Sequence, residues 1–379
     1  MNLLLVTRTL ADFPEDAAKV REGSRLGVNV SLVVPARWRG TPVAPGRLAS
    51  SDYELLLREC CFAGWQSRRI RFHLHFYPGL SKDVRNGKWD IVHVDEEPMN
   101  LATYHAMRKC RSGNPRAVFT TWQNLMKRYP PPFDFFERSV FEDAAGCLAG
   151  NREAEEILRR RGFEKPVACV PQHGVDPAVF RKVDSGDLRR KMRLQDAFVI
   201  GFVGQLAHRK GIDALIRAFA MLPRDCALVL IGAGPDSKKF KSLAEDLRVS
   251  ARVRWVPWVD QREIVKYMCA FDVLVLPSRT VRDWKEQFGR VLIEAMSCET
   301  PVVGSGSGDI PNVIGDAGLL FHENDETELV SCLARLMDDP SLREAFGRRG
   351  RERVIERFSY AKVAQQTVEF YKVICNGDT

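Results

Sequence analysis

The chain has 379 residues, more than one hydrophobic core usually supports, so its length predicts two domains of about 150 to 200 residues each. Hydrophobic residues make up 45% of it, as in an ordinary globular protein, which excludes a chain too polar to fold. The net charge of +8 suits an acidic partner: nucleic acid, an anionic membrane surface or a phosphate-bearing ligand.

The ten cysteines show no metal-ligand spacing and lie mostly in apolar stretches, so we expect reduced core thiols and no metal site. The first residues, "MNLLLVTRTLADF", lack the basic segment and the cleavage site of a signal peptide. No window approaches the roughly 18 apolar residues of a membrane span. A cytoplasmic location is therefore the expectation.

Short β-branched segments alternate with helical stretches along the first part of the chain. The predicted strands there are "NLLLVT", "VNVSLVVP", "IRFHLHF", "DIVHVD", "AVFTT" and "GCLAG". Strands that alternate with helices predict a mostly parallel, doubly wound sheet.

The strand pattern stops at "VPQHGVDPAVFRKVDSGDLRRK" and then restarts with "FVIGFVG", "CALVLIG", "RVRWVPW", "VLVLPS" and "PVVGS". We therefore predict an α/β protein with two Rossmann-like domains, residues 1–175 and 176–355, that face each other across a cleft. The apolar stripe of "YAKVAQQTVEFYKVI" predicts that residues 356–379 form a helix that crosses back to the first domain. Such sheets bind ligands beyond the carboxyl ends of their strands.

The segment "KEQFGRVLIEAM" places Glu286 before a predicted helix and Glu294 one to two turns into it. The helix is predicted to begin near Gly289 and to end near Ser297, and its first amides, around Phe288 to Val291, suit a phosphate. Two carboxylates at this spacing also occur simply because they favour a helix N-terminus, so the pair alone does not define a site.

Two glycine-containing loops follow predicted strands of the same domain. In "GFVGQLAHRKG" the backbone at Gly204 allows close approach of a ligand, and Lys210 provides a charge suited to a diphosphate. In "IGAGPD", Gly232 and Gly234 either let a flat ring pass close to the backbone or simply form a tight turn before a helix. Neither loop matches a P-loop or a dinucleotide fingerprint.

Together with "PQHGVDPAVF", "LPSR", "EQFGRVLIEAM" and "PVVGSGSGDIPNVIGDAGLLF", these loops resemble the retaining glycosyltransferases of family four, which have the GT-B fold. The resemblance covers roughly residues 165–375, and its motifs occur in order. The first 165 residues resemble the family mainly in strand pattern and in "WDIVHVDEEP".

The resemblance implies a role for each matching position. Glu286 would bind hydroxyls of the donor sugar. The amides of Phe288 and Gly289 would hold the sugar and the distal phosphate. Glu294 would bind the ribose, and Lys210 would neutralise the departing diphosphate. Family members of this kind generally use no metal, and the co-substrate would be a UDP- or GDP-sugar rather than a cofactor.

The chain departs from the family pattern in several places. Gln205 stands where a basic residue is common, so Arg209 or Arg290 would assist Lys210 at the diphosphate. Trp122 stands where a histidine is usual; it would either stack on a sugar or belong to the core. The glycine-rich first loop is missing.

We expect three residues of the first domain to shape the acceptor pocket: Arg8 in the first loop, Trp122, and Glu97 in the acidic run after "IVHV". That run also reads as a solvated acidic loop. The basic clusters "RWRG" and "SRRIR", with Trp38 and Trp65 nearby, are either solvated faces or a contact with anionic lipid.

The sequence therefore predicts a retaining glycosyltransferase of the polysaccharide-biosynthesis type. The acceptor would be a hydroxyl of a glycan, a lipid-linked glycan or a small molecule. A GT-B sugar-nucleotide epimerase is one alternative, and a basic nucleic-acid-binding protein on the same fold is another.

Overall fold

The computed structural model describes residues 1–62, 71–111 and 114–377. These residues form two compact units: Met1–His173 together with the segment from Tyr360 onward, and Gly174–Ser359. The divisions lie within a few residues of the predicted boundaries at 175 and 355. Trp65 and residues 67–70 of the basic cluster "SRRIR" lie outside the described residues.

The strands alternate with helices along both units, as the β-branched segments predicted. The strands are β1 (Asn2–Val6), β2 (Asn29–Pro35), β3 (Arg37–Trp38), β4 (Thr41–Pro42), β5 (Glu54–Arg58), β6 (Ile91–Val94), β7 (Arg116–Thr121), β8 (Gly146–Ala149), β9 (Val167–Cys169), β10 (Phe198–Val203), β11 (Cys226–Ile231), β12 (Val253–Val256), β13 (Val273–Leu276), β14 (Val302–Ser305) and β15 (Gly318–Phe321).

The helices cover the faces of the sheets and differ widely in length. They are α1 (Thr9–Asp12), α2 (Ala17–Arg25), α3 (Leu80–Asn86), α4 (Leu101–Lys109), α5 (Phe133–Asp143), α6 (Arg152–Arg160), α7 (Gly186–Met192), α8 (Ile212–Ala220), α9 (Ser237–Asp246), α10 (Gln261–Ala270), α11 (Arg290–Ser297), α12 (Ile310–Ile314), α13 (Glu326–Asp338), α14 (Pro340–Arg357) and α15 (Tyr360–Asn376). Among the described residues, none of them combines the length and apolar content needed to cross a bilayer.

The first unit is built on a parallel sheet with strand order β5-β2-β1-β6-β7-β8-β9. Successive side chains of a strand point to opposite faces, so Leu3 and Leu5 join one core and Leu4 and Val6 the other. Residues of α15 complete the first of these cores, where Tyr371 and its neighbours are buried. The apolar stripe of α15 therefore packs within the first unit.

The prediction of a strand at "IRFHLHF" is wrong over residues 71–76, the part of the segment that the structure describes. Arg71–Leu74 form a 3-10 turn, and Phe76 makes only an isolated pairing with Cys61. The alternation of His and apolar residues is typical of a strand, but His73 and His75 form hydrogen bonds with Asn100 and Glu96. The edge strand is instead β5, "ELLLR", which the sequence analysis missed.

The second unit is built on a parallel sheet with strand order β12-β11-β10-β13-β14-β15. Its four central strands, β10, β11, β13 and β14, are buried on both faces and belong to one continuous core. In this sheet β11 and β12 lie on one side of β10, and β13 and the later strands lie on the other. The order in which successive strands are added to the sheet therefore reverses between β10 and β13. The crevice beyond the carboxyl ends of such a strand pair is the usual ligand site of an open parallel sheet.

Candidate active site

The β10–β13 switch point brings together the two loops that carry the predicted catalytic residues. Gly204 follows β10 directly, and Lys210 lies at the end of the same loop. Ser278 follows β13, and the loop after it leads through Glu286 to α11. Residues that are 76 positions apart in sequence therefore share one edge of the sheet.

Lys210 and Glu286 form an ion pair at the centre of this site. Lys210 Nζ lies 2.6 Å from Glu286 Oε2, and the two side chains are 17% and 10% exposed. Ser278 Oγ donates a second hydrogen bond to the same carboxylate oxygen, at 2.7 Å. A carboxylate held by two short bonds in a mostly buried place has a defined orientation, which is what recognition of sugar hydroxyls requires.

Trp284 and Arg279 extend the site, and the sequence analysis assigned neither a role. The centroid of the Trp284 ring lies 4.8 Å from Lys210 Nζ and 5.2 Å from Arg209 Cζ, so the indole holds both cations over its face. Arg279 donates to both carboxylate oxygens of Asp213, at 2.8 and 3.3 Å. The only sequence signal for Trp284 was its place two residues before the predicted Glu286.

Helix α11 begins at Arg290 and ends at Ser297, as predicted. Its N-cap is Gly289, with φ of 83°, and a glycine has no side chain to accept from the first-turn amides. That helix end therefore keeps its positive dipole directed at the space before it. Glu294 accepts a hydrogen bond from Arg290 Nε at 3.0 Å, so the second predicted glutamate is paired with a different cation from the first.

The side chains of Phe288 and Val291, at the start of α11, pack in the core, so these residues offer only their backbone amides to a ligand. Phe288 is 4% exposed, and its ring packs edge-on against Phe358 with centroids 5.7 Å apart. Val291 is half-buried against the core of the second unit. Of the ligand contacts predicted here, only those made by main-chain amides fit these positions.

The glycines of the β10 and β11 loops are required by backbone packing. A Cβ at Gly232 would lie 2.0 Å from the carbonyl oxygen of Gly204, and one at Gly234 would lie 2.2 Å from that of Leu206. Gly232 has a φ of 135°, which favours glycine in addition. The two loops therefore touch through their backbones, which explains these glycines without any ligand.

Gln205 and Arg209 occupy the outer part of the site. Arg209 donates to Gln205 Oε1 at 2.5 Å, and Gln205 is exposed. The arginine is thus held between this amide and the Trp284 ring, beside Lys210. Its guanidinium adds positive charge to the place where the sequence departs from the family pattern.

The first unit has its own switch point, between β1 and β6, and Arg8 lies there. Arg8 Nε donates to Glu96 Oε2 at 2.8 Å, and His75 Nε2 lies 3.1 Å from Glu96 Oε1. Burial by itself raises the pKa of Glu96, but the charges of Arg8 and His75 outweigh it and lower the pKa to about 2. Arg8 is therefore part of a buried ionic network at the carboxyl end of this sheet.

Glu97 and Trp122, the other two predicted acceptor residues, are in contact. Glu97 accepts from the Trp122 amide at 2.9 Å and from Thr121 Oγ1 at 2.7 Å. Burial raises the pKa of Glu97 to about 7, against the opposing effect of these hydrogen bonds. The Trp122 indole is 7% exposed and packs over Gly150, so little of its face is available to a sugar ring.

The described side chains include no group of three His, Cys, Asp or Glu arranged to hold a metal ion. The basic cluster "RWRG" forms strand β3 and the turn that joins it to β4. Within it, Trp38 is buried and donates through Nε1 to Asp12 at 3.2 Å.

Solved structures with the same architecture identify the fold. The sucrose-phosphate synthase of Thermosynechococcus elongatus matches with a TM-score of 0.76 and 19% identity, over 100% of both chains. Anabaena HepE, solved in complex with UDP, also matches with a TM-score of 0.76, at 17% identity over 98% of this chain and 100% of its own. These matches, with the two parallel α/β sheets, show the GT-B fold.

Sequence comparison identifies the family. Residues 184–353 match the model of the "Glycosyl transferases group 1", and residues 19–179 match that of "Glycosyltransferase Family 4". The alpha-maltose-1-phosphate synthase of Mycolicibacterium smegmatis is 33% identical over 80% of this chain and 78% of its own. The chain belongs to the family 4 glycosyltransferases, which confirms the resemblance.

Other curated relatives match over a smaller part of their length. D-inositol 3-phosphate glycosyltransferase 2 of Catenulispora acidiphila is 32% identical over 60% of this chain and 56% of its own. The names of these three relatives refer to different products or acceptors. The family thus establishes transfer of a sugar from a nucleotide sugar and leaves the acceptor unspecified.

Proposed function

We propose that this glycosyltransferase is a retaining, metal-independent enzyme whose donor is bound by the second unit at the β10–β13 switch point. The ion pair of Lys210 and Glu286, with Ser278 on the same carboxylate, carries the proposal. It sets a cation and an oriented acceptor group at the crevice where parallel sheets bind ligands.

The roles follow from the charge that develops during transfer. When the bond between the anomeric carbon and the diphosphate breaks, negative charge grows on the departing phosphate, and fixed cations stabilise it. Lys210 and Arg209, both at the Trp284 ring, supply that charge, and the N-terminus of α11 with Arg290 adds to it in this proposal. The Glu286 carboxylate accepts hydrogen bonds from sugar hydroxyls.

We propose UDP or GDP as the nucleotide and test UDP first, because a structural relative was solved with UDP. Glu294 accepts the ribose hydroxyls. The acceptor is a glycan, a lipid-linked glycan or a small-molecule hydroxyl in polysaccharide biosynthesis, bound by the first unit near Arg8 and Glu97. In the retaining mechanism the departing phosphate takes the acceptor proton, so no enzymic nucleophile is needed.

Two variants test the site against a matched control. Glu286→Ala should abolish transfer while the Kd for UDP changes less than threefold, because the carboxylate contacts the sugar. Glu294→Ala should weaken UDP about 10- to 100-fold, the value of one or two hydrogen bonds to a charged group. Glu352→Ala, an exposed residue of α14, serves as the control. Calorimetry with UDP and an assay of UDP release measure both effects.

Several results would contradict the proposal. Normal turnover and normal UDP affinity in both site variants would remove the assignment of the site. Conversion of the sugar nucleotide without nucleotide release would indicate an epimerase. Salt-sensitive binding of duplex DNA without donor binding would indicate a nucleic-acid-binding protein.

The finer parts of the proposal have separate tests. Proton NMR of the product should show the anomeric configuration of the donor, and EDTA should leave the rate unchanged. We further propose a cytoplasmic enzyme with peripheral contact to anionic membrane. Because Trp38 is buried, that contact falls to the arginines of "RWRG", and co-sedimentation with anionic vesicles measures it.

A further inference from the structure

Glu323, in the loop after β15, holds the loop after β13 through two hydrogen bonds. Its Oε2 accepts from the Thr280 amide at 2.6 Å, and its Oε1 accepts from Thr280 Oγ1 at 2.7 Å. The hydroxyl of Ser307, in the loop after β14, lies 3.2 Å from the same Thr280 oxygen. Because β13, β14 and β15 are neighbours in the sheet, the loops of three successive strands meet at Thr280.

The loop that presents Glu323 is itself fixed at both ends. The amide and Nδ1 of His322 lie 2.6 and 2.7 Å from Glu328 Oε2. Asp325 caps helix α13 by accepting from the Glu328 amide at 2.8 Å. Glu323 lies between these two residues in sequence and is half-buried. Its carboxylate therefore has a defined position, which a side chain that orients another group requires.

A tight turn connects Thr280 to the Trp284 ring. Val281, the residue after Thr280, exchanges two backbone hydrogen bonds with Trp284, at 2.8 and 3.2 Å, and these bonds close the turn. The centroid of the Trp284 ring lies 4.8 Å from Lys210 Nζ and 5.2 Å from Arg209 Cζ. Because the turn is closed by its own backbone, a change in the orientation of Thr280 also moves the indole.

We propose that Glu323 is a positioning residue for sugar transfer, which anchors Thr280 and, through the turn, keeps the Trp284 ring against Lys210. The physical reason is the flexibility of the cation. A lysine side chain has many rotamers, and a fixed indole restricts them because the ring face attracts the ammonium group. Without the anchor the ring samples other orientations, and Lys210 loses its fixed place at the proposed diphosphate site.

Fluorescence measures the position of Trp284 without any nucleotide. Acrylamide quenching is compared in wild type, Glu323→Ala, Trp284→Phe and the double variant, so that subtraction gives the signal of Trp284 alone. The indole is half-buried in the structure. We expect Glu323→Ala to raise the quenching constant of this signal about twofold, because the released ring becomes more accessible to solvent. In the Trp284→Phe background the same substitution should leave the quenching of the remaining tryptophans unchanged.

Binding of UDP tests the consequence at the site, and this step rests on the proposed function. Calorimetry should give a Kd for UDP about three- to tenfold weaker in Glu323→Ala than in wild type. Because the carboxylate acts through the ring, the same substitution should weaken UDP by less than about twofold when Trp284 is already alanine. A residue that only stabilised the second unit would weaken UDP equally in both backgrounds.

Two further variants complete the test. Glu323→Gln should bind UDP within about twofold of wild type, because an amide can accept from the Thr280 amide and donate to its hydroxyl. Glu352→Ala, which removes an exposed glutamate of α14, is the control and should match wild type in both measurements.

The outcomes separate this inference from the proposed function. Equal quenching of Trp284 with and without the Glu323 carboxylate would overturn the inference. So would a released ring with unchanged UDP affinity. If wild type itself binds no UDP, the proposed donor is wrong, and the quenching result alone decides whether Glu323 positions the ring.

Discussion

Replacement of Gly308 by alanine should displace the backbone that supports the candidate site, without removing any functional side chain of the site. Gly308 lies in the loop after β14, with a φ of 56°, and a Cβ there would lie 1.8 Å from the carbonyl oxygen of Glu286. The next residue, Asp309, donates its amide to that same oxygen at 3.2 Å. The loop is thus packed directly against the backbone of Glu286.

The magnitude follows from two costs. A left-handed conformation costs an alanine about 1 to 2 kcal/mol. The contact must also open by more than 1 Å, and because the neighbouring atom belongs to the backbone, Glu286 itself has to move. Together we expect a loss of about 2 to 3 kcal/mol, or a Tm lower by about 5 to 10 °C for a unit of this size.

Displacement of Glu286 should also reduce activity. Its Oε2 accepts from Lys210 at 2.6 Å and from Ser278 at 2.7 Å, and a shift of 1 Å breaks both bonds. A misplacement of that size costs about 10²-fold in rate. Thermal denaturation and UDP release from the donor measure the two effects.

Gly306→Ala is the matched control, because it lies two residues earlier in the same loop and a Cβ there meets nothing within 4 Å. It should melt within about 2 °C of wild type and retain activity within twofold. If Gly308→Ala melts and turns over like Gly306→Ala, the loop does not support the glutamate and the reasoning is wrong.

Three further predictions concern other named contacts. Trp284→Ala should lower kcat/KM for the donor about 5- to 20-fold, because it removes the ring that holds Lys210, whereas Trp284→Phe should keep most activity in the same UDP-release assay. Glu97 keeps its proton to about pH 7 when folded but only to its ordinary 4.5 when unfolded, so its contribution to stability is complete below pH 4.5 and is lost as the pH rises to 7. Urea unfolding should show a loss of at most about 3 kcal/mol over that window in wild type and none of it in Glu97→Gln; parallel pH profiles would contradict this. Arg8→Met should lower the free energy of unfolding by about 3 kcal/mol, because it leaves Glu96 buried without its cation, and the double variant with Glu96→Gln should recover part of the loss; equal stability of the single variant and wild type would refute it.

The C-terminal half of the chain could be predicted closely because its information is local. Strands buried on both faces appear as continuous apolar runs, and "FVIGFV" and "CALVLI" coincide with β10 and β11. The glycine before α11 marked the start of that helix, because a residue with positive φ at the N-cap favours glycine. The loops that carry Lys210 and Glu286 followed from the places where these runs end.

Other features were hidden because they depend on partners distant in sequence. The segment 71–76 alternates like a strand, yet its histidines are used by Asn100 and Glu96, and a local pattern cannot show such partners. Glu299 has a φ of 60°, the conformation that favours glycine, and the residues around it in the sequence do not show this.

The sequence by itself determined the family, the alternation of strands and helices, and the residue types of the candidate site, since each rests on short-range pattern. Only the tertiary structure decided which loops meet. Strand order places β10 beside β13, and this brings Lys210 to Glu286 and turns two separate charges into one oriented pair. The same order places Arg8 beside Glu96 in the first unit, because β1 and β6 are neighbours although the chain between them is long. Pairing between strands is a long-range interaction, so no window of the sequence contains it.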